Sequence, residues 1–312
     1  MRAAIAGTGL AVPEGRLTNA DLEARVDTSD EWIVERTGIR ERRIANNGET
    51  TCDLSIAAGA AALKQAGMTP DDIDLLVVAT TTPDRHCPAT SAMVHDGLGI
   101  RGGAFDLNAA CAGFVYSLGM VGSMIETGRV GNVLVVGAEI ISRFIDVTDR
   151  STSILFGDGA GAAVITGTEA DRGLLGWDAG CDGSAVEILT VPMGEQWLKM
   201  DGAEVFRRAV RVVVESANAA LERSGLGPED VALFVPHQAN ARIITAACTR
   251  LGIPAERTMV NVDRYGNTSA ASIPIALAEA VDQGRMADGD VVLLSGFGAG
   301  MTWASAVLRW GR

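Results

Sequence analysis

The chain has 312 residues, 47% of them hydrophobic and 21% charged, with a formal net charge of −13 and only 4% aromatics. That acidity argues against a general nucleic-acid or anionic-membrane binder, since both surfaces are densely negative. No apolar run approaches the ~20 residues that a spanning helix needs.

The opening MRAAIAGTGLAVPEG does not resemble a signal peptide: residues 2–12 read as a strand followed by a turn. Asn19 is a possible cap for the short segment 18–26, and residues 28–31 (Thr-Ser-Asp-Glu) read as a capping box ahead of Trp32. A helix is expected over 53–67 and a buried strand over 74–82. The apolar run 104–107 then hands over to Cys111, followed at helical spacing by Phe114, Val115, Leu118, Val121, Met124 and Ile125. That places a thiol at the first turn of a buried helix, where unpaired N–H groups favour thiolate. Residues 132–141 read as another buried strand, and 153–167 as a strand broken by a glycine-rich bend. The five cysteines are odd in number and lack CxxC spacing, so neither a disulfide framework nor a metal site is expected, and the protein is placed in the reducing cytoplasm.

The second half repeats the order of the first. Residues 63–78 lie over 221–236 at an offset of 158, with Leu, Gly, Pro and Asp coinciding. At 156, Cys111 and its helix lie over Asn267 and the following segment, ending in Gly128-Arg129 and Gly284-Arg285. An ordered series across whole strand–helix–strand units means two similar α/β halves, 1–170 and 171–312, related by a pseudo-two-fold axis. Near-continuous apolar strands alternating with helices imply mixed, mostly parallel-type sheets covered on both faces, with sites beyond the strand ends where the halves meet.

The repeat selects a constellation. His237, in VPHQAN, falls at a strand end, and Asn267 is the partner of Cys111. Thiol, imidazole and side-chain amide suit acyl chemistry: Cys111 attacks a thioester while His237 and Asn267 donate to a carbonyl or enolate oxygen. The run 296–300 (Gly-Phe-Gly-Ala-Gly) offers backbone N–H groups for an oxyanion hole with the N–H of Cys111, or else serves only close packing. No GK[ST] follows any glycine cluster, and Gly7-Thr-Gly9 lacks the third glycine of a dinucleotide fingerprint.

Those motifs carry a resemblance. TNADLE, DTSDEWIVERTGIRERR, ACAGF, FGDGAGAAV, VPHQAN, GNTSAASIP and GFGAGMTW together resemble β-ketoacyl-acyl-carrier-protein synthase III, a thiolase-like condensing enzyme, over nearly the full chain. The resemblance implies a thiolase fold layered α-β-α-β-α, a homodimer, and ping-pong chemistry that starts fatty-acid synthesis. An acyl-CoA acylates Cys111, and malonyl-acyl carrier protein is then decarboxylated and condensed with help from His237 and Asn267. No cofactor beyond the CoA thioester substrate is implied. It further implies CoA contacts at Trp32, Arg36, Thr37, Arg150, Gly202 and Asn240, with Phe297 held near the nucleophile and Ala299 completing the oxyanion hole. Cys87 and Leu189 border the acyl pocket, Cys87 reaching across the dimer. Arg207, Arg242 and Arg250 dock the acidic carrier protein, which reconciles an enzyme of charge −13 with such a partner. Departures include Ala203, Thr249, a short 183–200 segment, and Cys87 where a bulky phenylalanine is frequent, so a roomier acyl pocket is expected. A priming synthase or acyltransferase of polyketide metabolism is the alternative. A non-catalytic partner subunit would not need all three of Cys111, His237 and Asn267.

Overall fold

The computed structural model describes residues 1–311. Strands β1 (Arg2–Ala11), β2 (Leu75–Ala79), β3 (Gly103–Leu107), β4 (Asn132–Glu139) and β5 (Gly159–Thr168) form one sheet in the order β1-β5-β4-β2-β3. Strands β6 (Gly173–Cys181), β7 (Val231–Pro236), β8 (Val291–Gly298) and β9 (Thr302–Arg309) form a second, ordered β7-β8-β9-β6. The two orders are the same path traced twice. The counterpart of β3 in the second half is reduced to one parallel bridge, Phe234 with Thr258.

The sheets are mixed, as expected, but parallel pairs are not the majority. Strand β2 runs parallel to β3 and β4, and β7 to β8, but the other four pairings are antiparallel. A parallel pair needs a long crossover, and β9 follows β8 after a three-residue turn, Ala299–Met301, which permits only the antiparallel return.

Seven longer helices cover these sheets: α1 (Asp30–Thr37), α2 (Thr51–Ala66), α3 (Thr90–Leu98), α4 (Gly113–Glu126), α5 (Gly202–Ser224), α6 (Ala241–Leu251) and α7 (Ser272–Asp282). Helices α4 and α7 lie between the sheets, where Phe114, Leu118 and Leu277 pack on Val77, Val135 and Leu294. Each such side chain contributes roughly 1.5–3 kcal/mol by leaving water. Leu54 and Val94 carry α2 and α3 onto the outer face of the first sheet, and Val213 and Ile244 carry α5 and α6 onto the second. The result is the five-layer α-β-α-β-α stack. Helix α2 approaches β1 so closely that a Cβ on Gly9 would sit 2.4 Å from the Ala58 carbonyl oxygen.

Local chemistry moves several boundaries. Thr18, not Asn19, caps the first short helix, its hydroxyl accepting from Asp21 N–H. Asn19 is buried instead, donating to Asp30 and the Ile39 carbonyl. Ser29 rather than Thr28 caps α1. Arg42 is fully buried, its guanidinium bonded to Asn19 Oδ1 and the Ile154 carbonyl. Burial brings its pKa down to about 10.

The repeat also pairs differently at its centre. The turns Ala110–Ala112 and Ser269–Ala271 lead into α4 and α7, and each opens on a left-handed residue, Ala110 at φ 48° and Ser269 at φ 50°. Asn108 Oδ1 accepts the Ala110 N–H and Asn267 Oδ1 accepts the Ser269 N–H, at 3.2 and 2.9 Å. Asn267 therefore matches Asn108, and Cys111 matches Ala270. The offset returns to 156 only at Gly128 and Gly284, because α7 has 11 residues where α4 has 14.

Candidate active site

Cys111 is the middle residue of the turn that feeds α4, and it is 7% exposed. Strand β8 ends against it: a Cβ on Gly298 would lie 2.5 Å from the Cys111 nitrogen, so only glycine allows that approach. The expectation of a stabilised thiolate is not met in the resting site. Burial pushes the thiol up to about 12; the Ser269 side chain lowers it, and the charge of nearby Glu139 raises it further.

His237 follows the end of β7, its N–H donating to the Ser295 carbonyl at 2.8 Å. Its Nδ1 lies 2.6 Å from Ser272 Oγ, at the first turn of α7, and its ring packs edge-on to Phe297 with centroids 5.2 Å apart. Burial lowers its pKa to about 3, so the imidazole is neutral across the working range.

Asn267 is clamped from the other half of the chain. Its N–H donates to the Leu155 carbonyl at 2.8 Å and its carbonyl accepts the Gly157 N–H at 3.0 Å. With its Oδ1 occupied by the Ser269 N–H, the side chain keeps its amide N–H groups to offer.

Cys111, His237 and Asn267 line one cavity of about 100 Å³, together with Leu189, Gly202, Asn240 and Phe297. Leu155, Phe156, Met200, Val205, Phe206 and Ile243 supply most of its apolar wall. A shallower groove of about 340 Å³ shares Phe206 and runs past Arg242, Ala241 and Gly38 to Val34 on α1.

Other expected residues fall elsewhere. The Arg36 and Arg150 guanidiniums both lie 4.7 Å from the Trp32 ring centroid. The Thr37 hydroxyl is committed to the Ile33 carbonyl at 2.7 Å. Asn240 caps α6 through Oδ1 and donates to the Arg36 carbonyl, tying the cavity rim to α1. Ala299 follows the cavity-lining Gly298 directly. Arg242 and Arg250 are exposed on α6, whereas Arg207 is paired with Glu204 at 2.6 Å. Cys87 is exposed and lies outside the cavity of its own chain.

Sequence reasoning missed Glu139, Ser269 and Ser272. The serines stood inside the quoted run GNTSAASIP, and nothing in it said which hydroxyls face inward. Glu139 ends an apolar strand, and that one charge in NVLVVGAE was the available signal.

A family model described as 3-oxoacyl-[acyl-carrier-protein (ACP)] synthase III matches residues 105–183, and its C-terminal companion matches 221–310. The chain is 52% identical to beta-ketoacyl-[acyl-carrier-protein] synthase III of Roseiflexus sp. (strain RS-1), over 99% of this chain and 98% of that one. The crystal structure of 3-oxoacyl-[acyl-carrier-protein] synthase III from Aquifex aeolicus VF5 superposes with a TM-score of 0.97 at 46% identity, covering 99% of this chain and 100% of that one. The Thermus thermophilus structure gives 0.95 at 50%, covering 99% of each.

Proposed function

Because the chain belongs to the β-ketoacyl-[acyl-carrier-protein] synthase III family and carries out the initiating condensation of fatty-acid synthesis on acyl-carrier-protein substrates, we propose the following division of work among its residues. Cys111 attacks the thioester carbon of an acyl-CoA, and CoA leaves. Malonyl-acyl carrier protein then enters the same cavity. Its thioester oxygen accepts from His237 Nε2–H and Asn267 Nδ2–H as CO2 departs, and the resulting carbanion attacks the acyl-Cys111 carbonyl. Backbone N–H groups of Cys111 and Ala299 receive the oxyanion.

The observation that carries this reading is the meeting of a thiol, a neutral imidazole and an oriented amide at one small cavity. A neutral His donates from Nε2 when a hydroxyl donates to Nδ1, and Ser272 is placed to do so. The Trp32, Arg36 and Arg150 cluster takes the adenine and phosphates, and the groove past Gly38 and Phe206 takes the pantetheine, with contacts at Gly202 and Asn240, while Thr37, its hydroxyl engaged within α1, supports the groove from beneath. Exposed Arg242 and Arg250, with Arg207, receive the acidic carrier.

The working form is a cytoplasmic homodimer of subunits in which residues 1–170 carry the nucleophile and 171–312 carry His237 and Asn267. Support comes from β3, a sheet edge with Gly103 and Ala104 exposed, and from Cys87, which borders an acyl cavity only if a second copy presents it. All five cysteines are free, which suits a reducing compartment.

The test is intact-protein mass spectrometry after incubation with acetyl-CoA, followed by CO2 release from malonyl-acyl carrier protein. Cys111→Ala should lose the acyl adduct, while His237→Ala should keep it and lose condensation. An adduct on Cys111→Ala would overturn the assignment. Acyl transfer without CO2 release in the unmodified protein would favour an acyltransferase.

A further inference from the structure

We propose that Ser269 and Glu139 form a proton relay that takes the Cys111 proton during acylation and returns it after condensation. The inference rests on the reading of Cys111 as the acyl acceptor.

Glu139 ends β4 with no exposed surface and no salt-bridge partner among the described residues. Its carboxyl is held by hydroxyls and one amide: Thr82 at 2.6 Å, Thr81 at 3.0 Å, Thr80 at 3.3 Å, the Thr81 N–H at 3.1 Å, and Ser269 at 3.0 Å. An unpaired carboxylate taken out of water is costly, and burial accordingly raises its pKa. None of the roles assigned above to Cys111, His237 and Asn267 uses it.

Ser269 joins this carboxyl to the nucleophile. Its hydroxyl bonds Glu139 Oε1, and its turn, Ser269–Ala271, packs on the Ala110–Ala112 turn that carries Cys111, where the Ser269 side chain acts on the thiol. A serine has one hydroxyl proton and an ionised carboxylate only accepts, so the chain has one direction. Ser269 O–H donates to Glu139 Oε1 at 3.0 Å, which leaves a lone pair of Ser269 Oγ to receive the Cys111 proton when the thiol reacts. Ser269 holds this place in a left-handed conformation, φ 50°, that side chains other than glycine adopt at a cost. Its N–H meanwhile orients Asn267.

The alternative base in the cavity is unsuited. His237 is neutral with a depressed pKa, and its Nδ1 is engaged by Ser272. Moving the proton to Glu139 also removes a like-charge conflict, because an ionised Glu139 opposes a thiolate at Cys111. That thiol is the titratable group facing Glu139; its other neighbours are the three threonines and Ser269.

The balance closes over one turnover. As sulfur bonds to the thioester carbon, the thiol proton passes to Ser269 Oγ and the Ser269 proton to Glu139. The carbon–sulfur bond to CoA breaks, and the CoA thiolate takes a proton from water. Glu139 then stays protonated through the life of the acyl-enzyme. Condensation releases CO2 and a Cys111 thiolate, and the relay runs backwards to restore the thiol and the carboxylate.

Single-turnover acylation by acetyl-CoA, followed by intact mass across pH, tests the relay. Glu139→Gln should slow acylation roughly 10²–10⁴-fold, the range of a lost general base, and displace the rise in rate to the alkaline range of the free thiol. Ser269→Gly, which suits the left-handed turn, should show the same loss and displacement, and Glu139→Asp should recover part of both. Acylation of Glu139→Gln within twofold of the unmodified protein, or slowed with an unchanged pH profile, would overturn the relay and leave Glu139 a structural residue. Cys111→Ala separates the two readings: an adduct persisting there removes the nucleophile and the relay together, whereas its loss beside a normal Glu139→Gln removes the relay alone.

Discussion

Ser272 Oγ lies 2.6 Å from His237 Nδ1 and also receives the Gln238 N–H at 3.3 Å. One lone pair of the serine is thereby occupied, and its proton is directed at the imidazole. The side chain that fixes the proton position on His237 thus comes from the first turn of a helix in the layer between the sheets. Ser272→Ala frees the ring to take either tautomer. CO2 release from malonyl-acyl carrier protein should fall about 10–100-fold, as for other residues that orient a working histidine. Adduct formation on Cys111 should change by less than threefold, an estimate of about 0.6 kcal/mol or less. Equal loss of both steps would show that Ser272 merely supports the fold.

The two guanidiniums on Trp32 predict a substrate-binding effect confined to CoA. Trp32→Ala removes the platform that Arg36 and Arg150 share. The KM for acetyl-CoA should rise about tenfold, which is roughly 1.4 kcal/mol, while kcat and the KM for the carrier-protein substrate stay close to their original values. Steady-state kinetics with each substrate varied in turn decides it.

Gly298 predicts a steric loss. Its missing side chain leaves room for Cys111, and an added Cβ would stand 2.5 Å from the Cys111 nitrogen and 2.8 Å from the Ala110 Cβ. Gly298→Ala should abolish the acyl adduct and lower stability by about 1–3 kcal/mol, the usual cost of overpacking. Denaturant midpoints and intact mass measure the two effects separately.

His237 predicts a pH dependence of stability. Its folded pKa is about 3, against 6.5 for an ordinary histidine. Above pH 6.5 both states are neutral and nothing is lost. Below it the unfolded chain binds a proton that the folded chain refuses, so stability declines until pH reaches about 3, by up to roughly 5 kcal/mol. Asp21, Asp72, Asp171 and Asp182, with lowered carboxyl pKa values, add loss at the acid end of that window. Comparing unfolding free energies of the protein and His237→Asn from pH 7 to 4 isolates the histidine. The variant should have the flatter curve.

Cys87 predicts starter selectivity. If the proposed dimer presents Cys87 to the partner's cavity, Cys87→Phe narrows that cavity. It should suppress adducts from branched or longer acyl-CoAs at least tenfold, which is about 1.4 kcal/mol, and spare acetyl. An unchanged panel of adducts would place Cys87 away from the acyl chain.

The layering was legible because it rests on local regularities. Apolar strands, helical spacing after Cys111 and a repeated element order require no knowledge of which side chains touch. The repeated order likewise placed His237 at a strand end and singled out Cys111 and Asn267, and all three line one cavity. The numerical overlay of Cys111 on Asn267 failed for an equally local reason: α7 is three residues shorter than α4, so an offset fitted at the helix ends is wrong at their beginnings.

Protonation and pairing belonged to the tertiary structure. A helix start suggests a stabilised thiolate, yet burial sets the Cys111 thiol near 12 and the His237 imidazole near 3, because desolvation depends on every layer that closes over the site. Arg42, a residue type that is seldom fully buried, is wholly enclosed between Asn19 and Ile154. Glu139 and Ser269 are 130 positions apart and 3.0 Å apart in space. Only the stacking of two sheets around α4 and α7 brings that carboxyl, that hydroxyl and the thiol into one chain of contacts.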